Sequence, residues 1–245
     1  MEHRLVFARL VGHKGRFGAK ESPRLFNDNN NPDDFAEQRA RMVEEQLRSR
    51  GIRNEWVLAA MGKVPREAFV EAASPTAAYG DYPLPIGAGQ TVSQPYIVAA
   101  MVEALEPQPR DRVLEVGTGT GYEAAILGEL AGEIWTIERH AELADKAREI
   151  LARLGYANVH VVHGDGSRGI PERAPFDRIL VAAAAPRIPT SLMQQLADGG
   201  RLVLPVGNRF EQQVEVARKV NGEMIVSKHD LCRFVPLLGE EGWEL

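Results

Sequence analysis

The residues of this 245-residue chain that could do chemistry fall at three places along it. Gly117, Gly119 and Gly121 alternate with Thr118 and Thr120. Such a run makes a tight turn in which bare backbone can approach a ligand. Glu138 closes the next apolar run, at the offset where an acid accepts hydrogen bonds from both hydroxyls of a ribose. Asp165, between Gly164 and Gly166, follows a third apolar run. A short carboxylate there can reach the amino group of an adenine, and Gly166 lets the base lie flat against backbone. Each feature also has a plain reading: a glycine-rich turn, a solvated strand end, an ordinary Asp-Gly turn. Their recurrence at the same point of successive units favours a bound nucleoside. Glu138 suits NAD and S-adenosylmethionine equally. Gly-x-Gly-x-Gly lacks the two-residue gap of the dinucleotide fingerprint, which tilts the reading weakly towards S-adenosylmethionine.

Other chemistries find little support. The single cysteine, Cys232, excludes an intrachain disulfide and a multi-cysteine metal site, and reads as a small apolar residue of a late strand. The six histidines show no paired metal-ligand spacing. Neither a Gly-x-Ser-x-Gly elbow nor a phosphate-binding P-loop occurs, which removes common hydrolase and phosphotransferase designs. The net charge of −5 disfavours a general nucleic-acid binder. No apolar run is long enough to span a bilayer; the longest, Ile179 to Ala185, stops at Pro186. Arg9 breaks the only apolar run near the start, which argues against a secretory signal and leaves an organelle transit peptide open; the single cysteine fits a reducing compartment, and the cytoplasm is expected.

The elements that must position these residues are legible from period and punctuation. Residues 1–32 lack a period and end in a polar Asn-rich linker, so they read as an extension, and the folded domain spans 33–245. Within it, 33–95 reads as small helices followed by a loop over the site. Asp33 and Asp34 are placed to cap a helix using Phe35, Met42, Val43 and Leu47, ending at Gly51. A second helix from Asn54 should bury Trp56, Val57, Ala60 and Met61, and a third turn starts at Pro65. Residues 74–95 form a long Pro- and Gly-rich stretch of the kind that is usually functional in a compact domain. Ser93 reads most simply as the N-cap of a helix from Gln94 to Leu105, with Pro95 in its first turn.

Residues 96–245 then alternate strand and helix: strands at 112–116, 133–138, 159–162, 178–182 and 201–205, with helices at 121–130, 140–153 and 189–196. Alternation of this kind builds a parallel sheet covered on both faces. Val214 to Val220 and Met224 to Val226 flank Asn221-Gly222, a strong hairpin signal, and Leu231 to Val235 reads as a last strand. The fold expected is α/β, a doubly wound Rossmann-like sheet closed by a C-terminal antiparallel hairpin. That is the usual architecture of S-adenosylmethionine-dependent methyltransferases.

Ala78 to Pro95, with its Gly89-Gln90-Thr91-Val92-Ser93-Gln94-Pro95 end, resembles the signature loop of the protein-L-isoaspartate O-methyltransferases. Val113 to Tyr122, Ile137-Glu138-Arg139, Gly164-Asp165-Gly166, Ala182 to Pro186, Gly199 to Gly207 and Arg233 to Leu237 follow in that family's order. The resemblance runs from about 36 to 238; Thr120 and Val92 replace the more frequent Ser and Ile. It implies a repair enzyme that methylates the free α-carboxylate of L-isoaspartyl residues in damaged proteins and peptides. It implies Ser93 as the active-site residue, with Val92, Ser93, Gln94, Pro95, Gly117, Gly119, Gly121, Glu138, Asp165, Gly166 and Gln213 around S-adenosyl-L-methionine and no metal. For Gln213 an exposed strand position weighs equally. A monomer is favoured, without nucleic-acid or membrane partners. The competing readings are a methyltransferase for a small molecule or RNA, and a protein-binding module that has lost turnover.

Overall fold

The computed structural model describes residues 32–70 and 77–244. The expected extension over 1–31, and the part of the long loop at 74–76, lie outside the described residues. α1 (Pro32–Arg41) continues into a π-helical stretch, Met42–Leu47, and a 3-10 turn, Arg48–Arg50, which Gly51 closes at φ +106°. Helix α2 (Glu55–Lys63) starts where expected: the Asn54 side chain accepts from the Trp56 and Val57 amides at 3.0 and 3.3 Å. Its buried set is Val57, Leu58, Ala60 and Met61, whereas Trp56 is 78% exposed. At about 100° per residue that set leaves Trp56 on the far flank, which corrects the expected buried face.

The long loop is more regular than its composition suggests. It contains a two-stranded antiparallel hairpin, β1 (Leu84–Gly87) and β2 (Gln90–Val92), turning at Ala88 and Gly89. Leu84, Ile86 and Val92 face inward, and Pro85 points out of a short edge strand, where a missing N–H costs no ladder bond. Helix α3 (Pro95–Leu105) begins at Pro95, and its N-cap is Gln94, with no side-chain capping bond. Ser93 is therefore not the cap. A residue before proline is pushed into extended backbone, so Gln94 is the last non-helical residue and Ser93 stands one position further out.

The main sheet has seven strands in the order β5-β4-β3-β6-β7-β8-β9. These are β3 (Arg112–Val116), β4 (Glu133–Glu138), β5 (Val159–His163), β6 (Phe176–Val181), β7 (Leu196–Gly207), β8 (Gln212–Val220) and β9 (Glu223–Cys232). Pairings among the first five are parallel, and β7–β8 and β8–β9 are antiparallel. Helices α4 (Tyr122–Leu130), α5 (Ala141–Arg153) and α6 (Thr190–Gln195) connect them. β3 is buried on both faces: Val113 joins one apolar cluster with α2 to α5, and Leu114 and Val116 join a second with Phe176, Leu192 and Leu237. The hairpin turns at Asn221 (φ +52°) and Gly222 (φ +82°), the two positive values that a two-residue connection requires. The expected last strand is displaced. Leu231 and Cys232 finish β9, while Val235 to Leu237 turn back and bond the backbone of Ala184 at 2.8 Å on either side. No helix of the described residues is long and apolar enough to cross a membrane.

Candidate active site

The strand order runs outward in both directions from β3, with β4 on one side and β6 on the other, so the connections leave a crevice at the carboxyl ends of β3 and its neighbours. Into it project the glycine turn after β3, Glu138 at the end of β4, Ala182 after β6 and the inner face of the β1–β2 hairpin. The result is an open cleft walled by glycine backbone, a strand-end carboxylate and apolar side chains. Gly119 holds φ +55°, and a Cβ there would stand 3.1 Å from Ile86 Cδ1. A side chain at this left-handed position would be strained and would push Ile86 back by a few tenths of an ångström. Gly117 and Gly121 are also left-handed, at φ +98° and +95°.

Glu138 is 5% exposed and lines this cleft. Its Oε2 accepts the Gly119 amide and its Oε1 the His140 amide, both at 2.9 Å. The same carboxylate therefore orders the glycine turn and the start of α5. Beneath the turn, the hydroxyls of Thr118 and Thr136 lie 2.6 Å apart, and Thr136 donates to Glu115, which is fully buried. Burial, followed by the neighbouring Glu123, pushes the Glu115 carboxyl well above the usual carboxylate range. Glu123, at the first turn of α4, lines the cleft, and burial raises its carboxyl to about 8.

Val92 and Ser93 line the cofactor-sized cleft from the hairpin side, as expected. A second, wider cleft adjoins it, lined in part by Gln94, Tyr96, Arg209 and Arg233. The two share Thr91, Ser93, Ala182, Val235 and Pro236. Ser93 thus stands at the partition. Its position is fixed by Arg66, 0% exposed, whose Nη2 donates to the Ser93 carbonyl at 2.8 Å and whose Nε donates to the Ala78 carbonyl at 2.7 Å. Arg66 stacks over Tyr122 at 4.7 Å, and burial draws its guanidinium below the ordinary arginine range. No sequence signal marks Arg66, which stands among Lys63, Pro65 and Glu67 like an ordinary surface residue. Pro95 is buried at the start of α3 and lines neither cleft.

Besides Pro95, three expected ligand residues line neither cleft: Gly121, which packs against Leu151 and Ala147 of α5, Asp165 and Gln213. Gly166 lines the cleft, packed so that a Cβ would meet Val116 Cγ1 at 2.5 Å. Asp165 does not. Its Oδ1 accepts from the Ser167 amide at 2.9 Å and hydroxyl at 2.7 Å, and its Oδ2 from the Glu240 amide at 2.9 Å, so the carboxylate ties down the C-terminal segment. Gln213 lies on β8 away from both clefts and donates to the His229 carbonyl at 2.6 Å across the hairpin. It is the strand polar residue of the plainer reading. Cys232 is half-buried, with burial raising its thiol to about 11, which agrees with an inert side chain.

A parallel sheet of order β5-β4-β3-β6-β7, a glycine cradle facing a strand-end glutamate and an antiparallel C-terminal hairpin define a Rossmann-like S-adenosylmethionine-dependent methyltransferase. The family model described as Protein-L-isoaspartate(D-aspartate) O-methyltransferase (PCMT) matches residues 37–242, and the chain belongs to that family. A protein-L-isoaspartate O-methyltransferase of Koribacter versatilis is 58% identical over 209 residues, covering 85% of this chain and 94% of that one. A solved protein-L-isoaspartate O-methyltransferase superposes with a TM-score of 0.76 at 28% identity, over 83% of this chain and 67% of the other. A Plasmodium falciparum structure described as the same enzyme and crystallised with S-adenosyl-L-homocysteine gives 0.71 at 25% identity, over 82% and 98%.

Proposed function

We propose that this chain repairs damaged proteins by transferring a methyl group from S-adenosyl-L-methionine to the free α-carboxylate of L-isoaspartyl residues. One observation carries the mechanism: two adjoining clefts share a wall at Ser93, one sized for the cofactor and one open to a peptide. The small helices and hairpin of 33–95 cover the site, and the sheet domain of 96–245 holds the cofactor. The single cysteine supports a cytoplasmic setting.

The residues present fit the cofactor. Gly119 holds a left-handed backbone that disfavours a side chain, and Glu138 accepts two amides while keeping lone pairs free for a diol. S-adenosylmethionine supplies, when bound, an electrophilic methyl group on a positively charged sulfur. Gly117 and Gly119 offer backbone to it, Glu138 takes the ribose hydroxyls, and Val92 and Gly166 line its flanks. No residue has to remove a proton, because a carboxylic acid of this kind ionises near about 4 and is already a nucleophile at neutral pH. Ser93 orients the incoming carboxylate oxygen from the partition. Arg209 and Arg233 in the second cleft attract its charge. Ile86, Val92 and Val235 keep water from the line of attack. Alignment of this kind contributes up to about 7–11 kcal/mol in well-oriented systems.

The test is transfer of a labelled methyl group from the cofactor to an isoaspartyl peptide, followed by mild base. An ester releases the label as methanol. Label that resists base would mark an amine or ring nitrogen as the acceptor and overturn the proposal.

A further inference from the structure

We propose that Glu123 binds the α-ammonium group at the amino-acid end of the cofactor. The inference rests on the cofactor reading above and adds a residue to it. Glu123 is 9% exposed and lines the cofactor cleft. Its Oε1 accepts no hydrogen bond, and no cation pairs with it among the described residues. Glu115 lies behind it, 0% exposed, with an Oε1 that is also without a partner. Glu138, the third carboxylate here, is satisfied by two amides. A buried carboxyl oxygen without a hydrogen-bond partner is costly, and natural structures rarely keep one without a reason. The cleft that Glu123 lines is the side from which a partner can reach it, and a group that brings both positive charge and N–H donors would suit the carboxylate best. An ammonium group does so; a sulfonium brings charge but no donor. A bound metal is disfavoured, since no three metal-binding side chains cluster among the described residues.

The remaining charged groups at this end of the cleft are Arg139 and His140 beyond β4, with Tyr122 on α4 beside Glu123. None of them donates to Glu123.

The experiment is calorimetric titration of wild type, Glu123→Gln and Glu123→Leu. The probes are S-adenosylhomocysteine and its analogue in which hydrogen replaces the α-amino group. Wild type should prefer S-adenosylhomocysteine by about tenfold or more, the scale of a charge-assisted hydrogen bond. Both variants should lose that preference, binding S-adenosylhomocysteine about tenfold or more weakly and the analogue unchanged. The melting temperature of the free variants should hold or rise, since a buried carboxyl without a partner has gone. Equal losses for both probes would assign Glu123 to the fold alone. Unchanged affinities, or a wild type indifferent to the amino group, would also overturn the inference while leaving the cofactor reading intact. A wild type that binds neither probe would remove the cofactor reading itself.

Discussion

Glu138→Ala probes the cofactor cleft at the residue that organises most of it. The carboxylate is almost fully buried and already accepts Gly119 N–H and His140 N–H, one on each oxygen at 2.9 Å. An ionised carboxylate has about four lone-pair sites, so two remain for the ribose diol. Each charge-assisted bond contributes about 1.5–3 kcal/mol net, and water recovers part of that in the variant. A loss of about 2–4 kcal/mol follows, which is roughly 30- to 1,000-fold in affinity for S-adenosylhomocysteine. Glu138→Gln should fall between, because one carbonyl oxygen then serves where two oxygens did. The assay is calorimetric titration, with a thermal melt of each free variant to show that it is folded at the assay temperature. A folded Glu138→Ala chain that binds S-adenosylhomocysteine as tightly as wild type would refute the reasoning and remove Glu138 from the site.

Ser93→Ala should slow methylation of an isoaspartyl peptide while leaving S-adenosylhomocysteine affinity and melting temperature nearly unchanged, because Gln94 and not Ser93 caps α3. A stability loss of a cap's size, about 0.5–2 kcal/mol, with full turnover would contradict the geometry. Stability should also depend on pH through Glu123, whose folded carboxyl is raised to about 8 while the unfolded one ionises near about 4.3. Between these values the folded chain holds a proton that the unfolded chain has released, so stability falls as pH rises through the window. Glu138, Arg139 and His140 line the same cleft and the buried Glu115 neighbours Glu123, so the comparison is made within one pair: the melting temperature of the free chain should drop more steeply from pH 6 to 8.5 in wild type than in Glu123→Gln. Equal slopes would refute it. Cys232, with its thiol at about 11, should be alkylated by iodoacetamide at pH 8 roughly a hundredfold more slowly than a free thiol near 8.5; fast labelling seen by mass spectrometry would show it to be exposed and ionised.

Local signals were legible wherever one residue type dictates backbone geometry or one period dictates a face. The glycine turn after β3, the Asn54 cap, the Asn221-Gly222 turn and the alternation of strands and helices all stand where the sequence places them. Glu138 and Gly166 came with them, because residues at the ends of adjacent parallel strands share an edge. What remained hidden depends on long-range packing. Pro83 and Pro85 mask the β1–β2 hairpin, although Leu84 and Ile86 keep the inward period. Pro95 moves the α3 cap from Ser93 to Gln94. Trp56 is apolar, yet the buried set of α2 excludes it. Asp165 has the right neighbours but gives its oxygens to the chain near Glu240, which only the folded C-terminal segment brings close. Arg66 sits in a charged turn and Glu123 in an apolar run, and their roles come from partners far away in the sequence or missing altogether.

The central claim is that the site places one kind of carboxylate at the methyl group. An isoaspartyl residue routes its backbone through the side-chain carboxyl, so its free α-carboxylate sits on an arm one methylene shorter than that of normal aspartate. The loop from Tyr79 to Pro95 is held firmly enough to distinguish them: Gln46 donates to the Tyr79 carbonyl at 2.8 Å, Arg50 pairs with Asp81 at 2.6 Å, and Arg66 fixes Ser93. Misplacing a nucleophile by about an ångström costs on the order of a hundredfold in rate. The direct measurement is kcat/KM for methyl transfer to two peptides of identical sequence, one with L-isoaspartate and one with L-aspartate. The isoaspartyl peptide should be methylated at least about a hundredfold more efficiently, and equal rates for the pair would contradict the account.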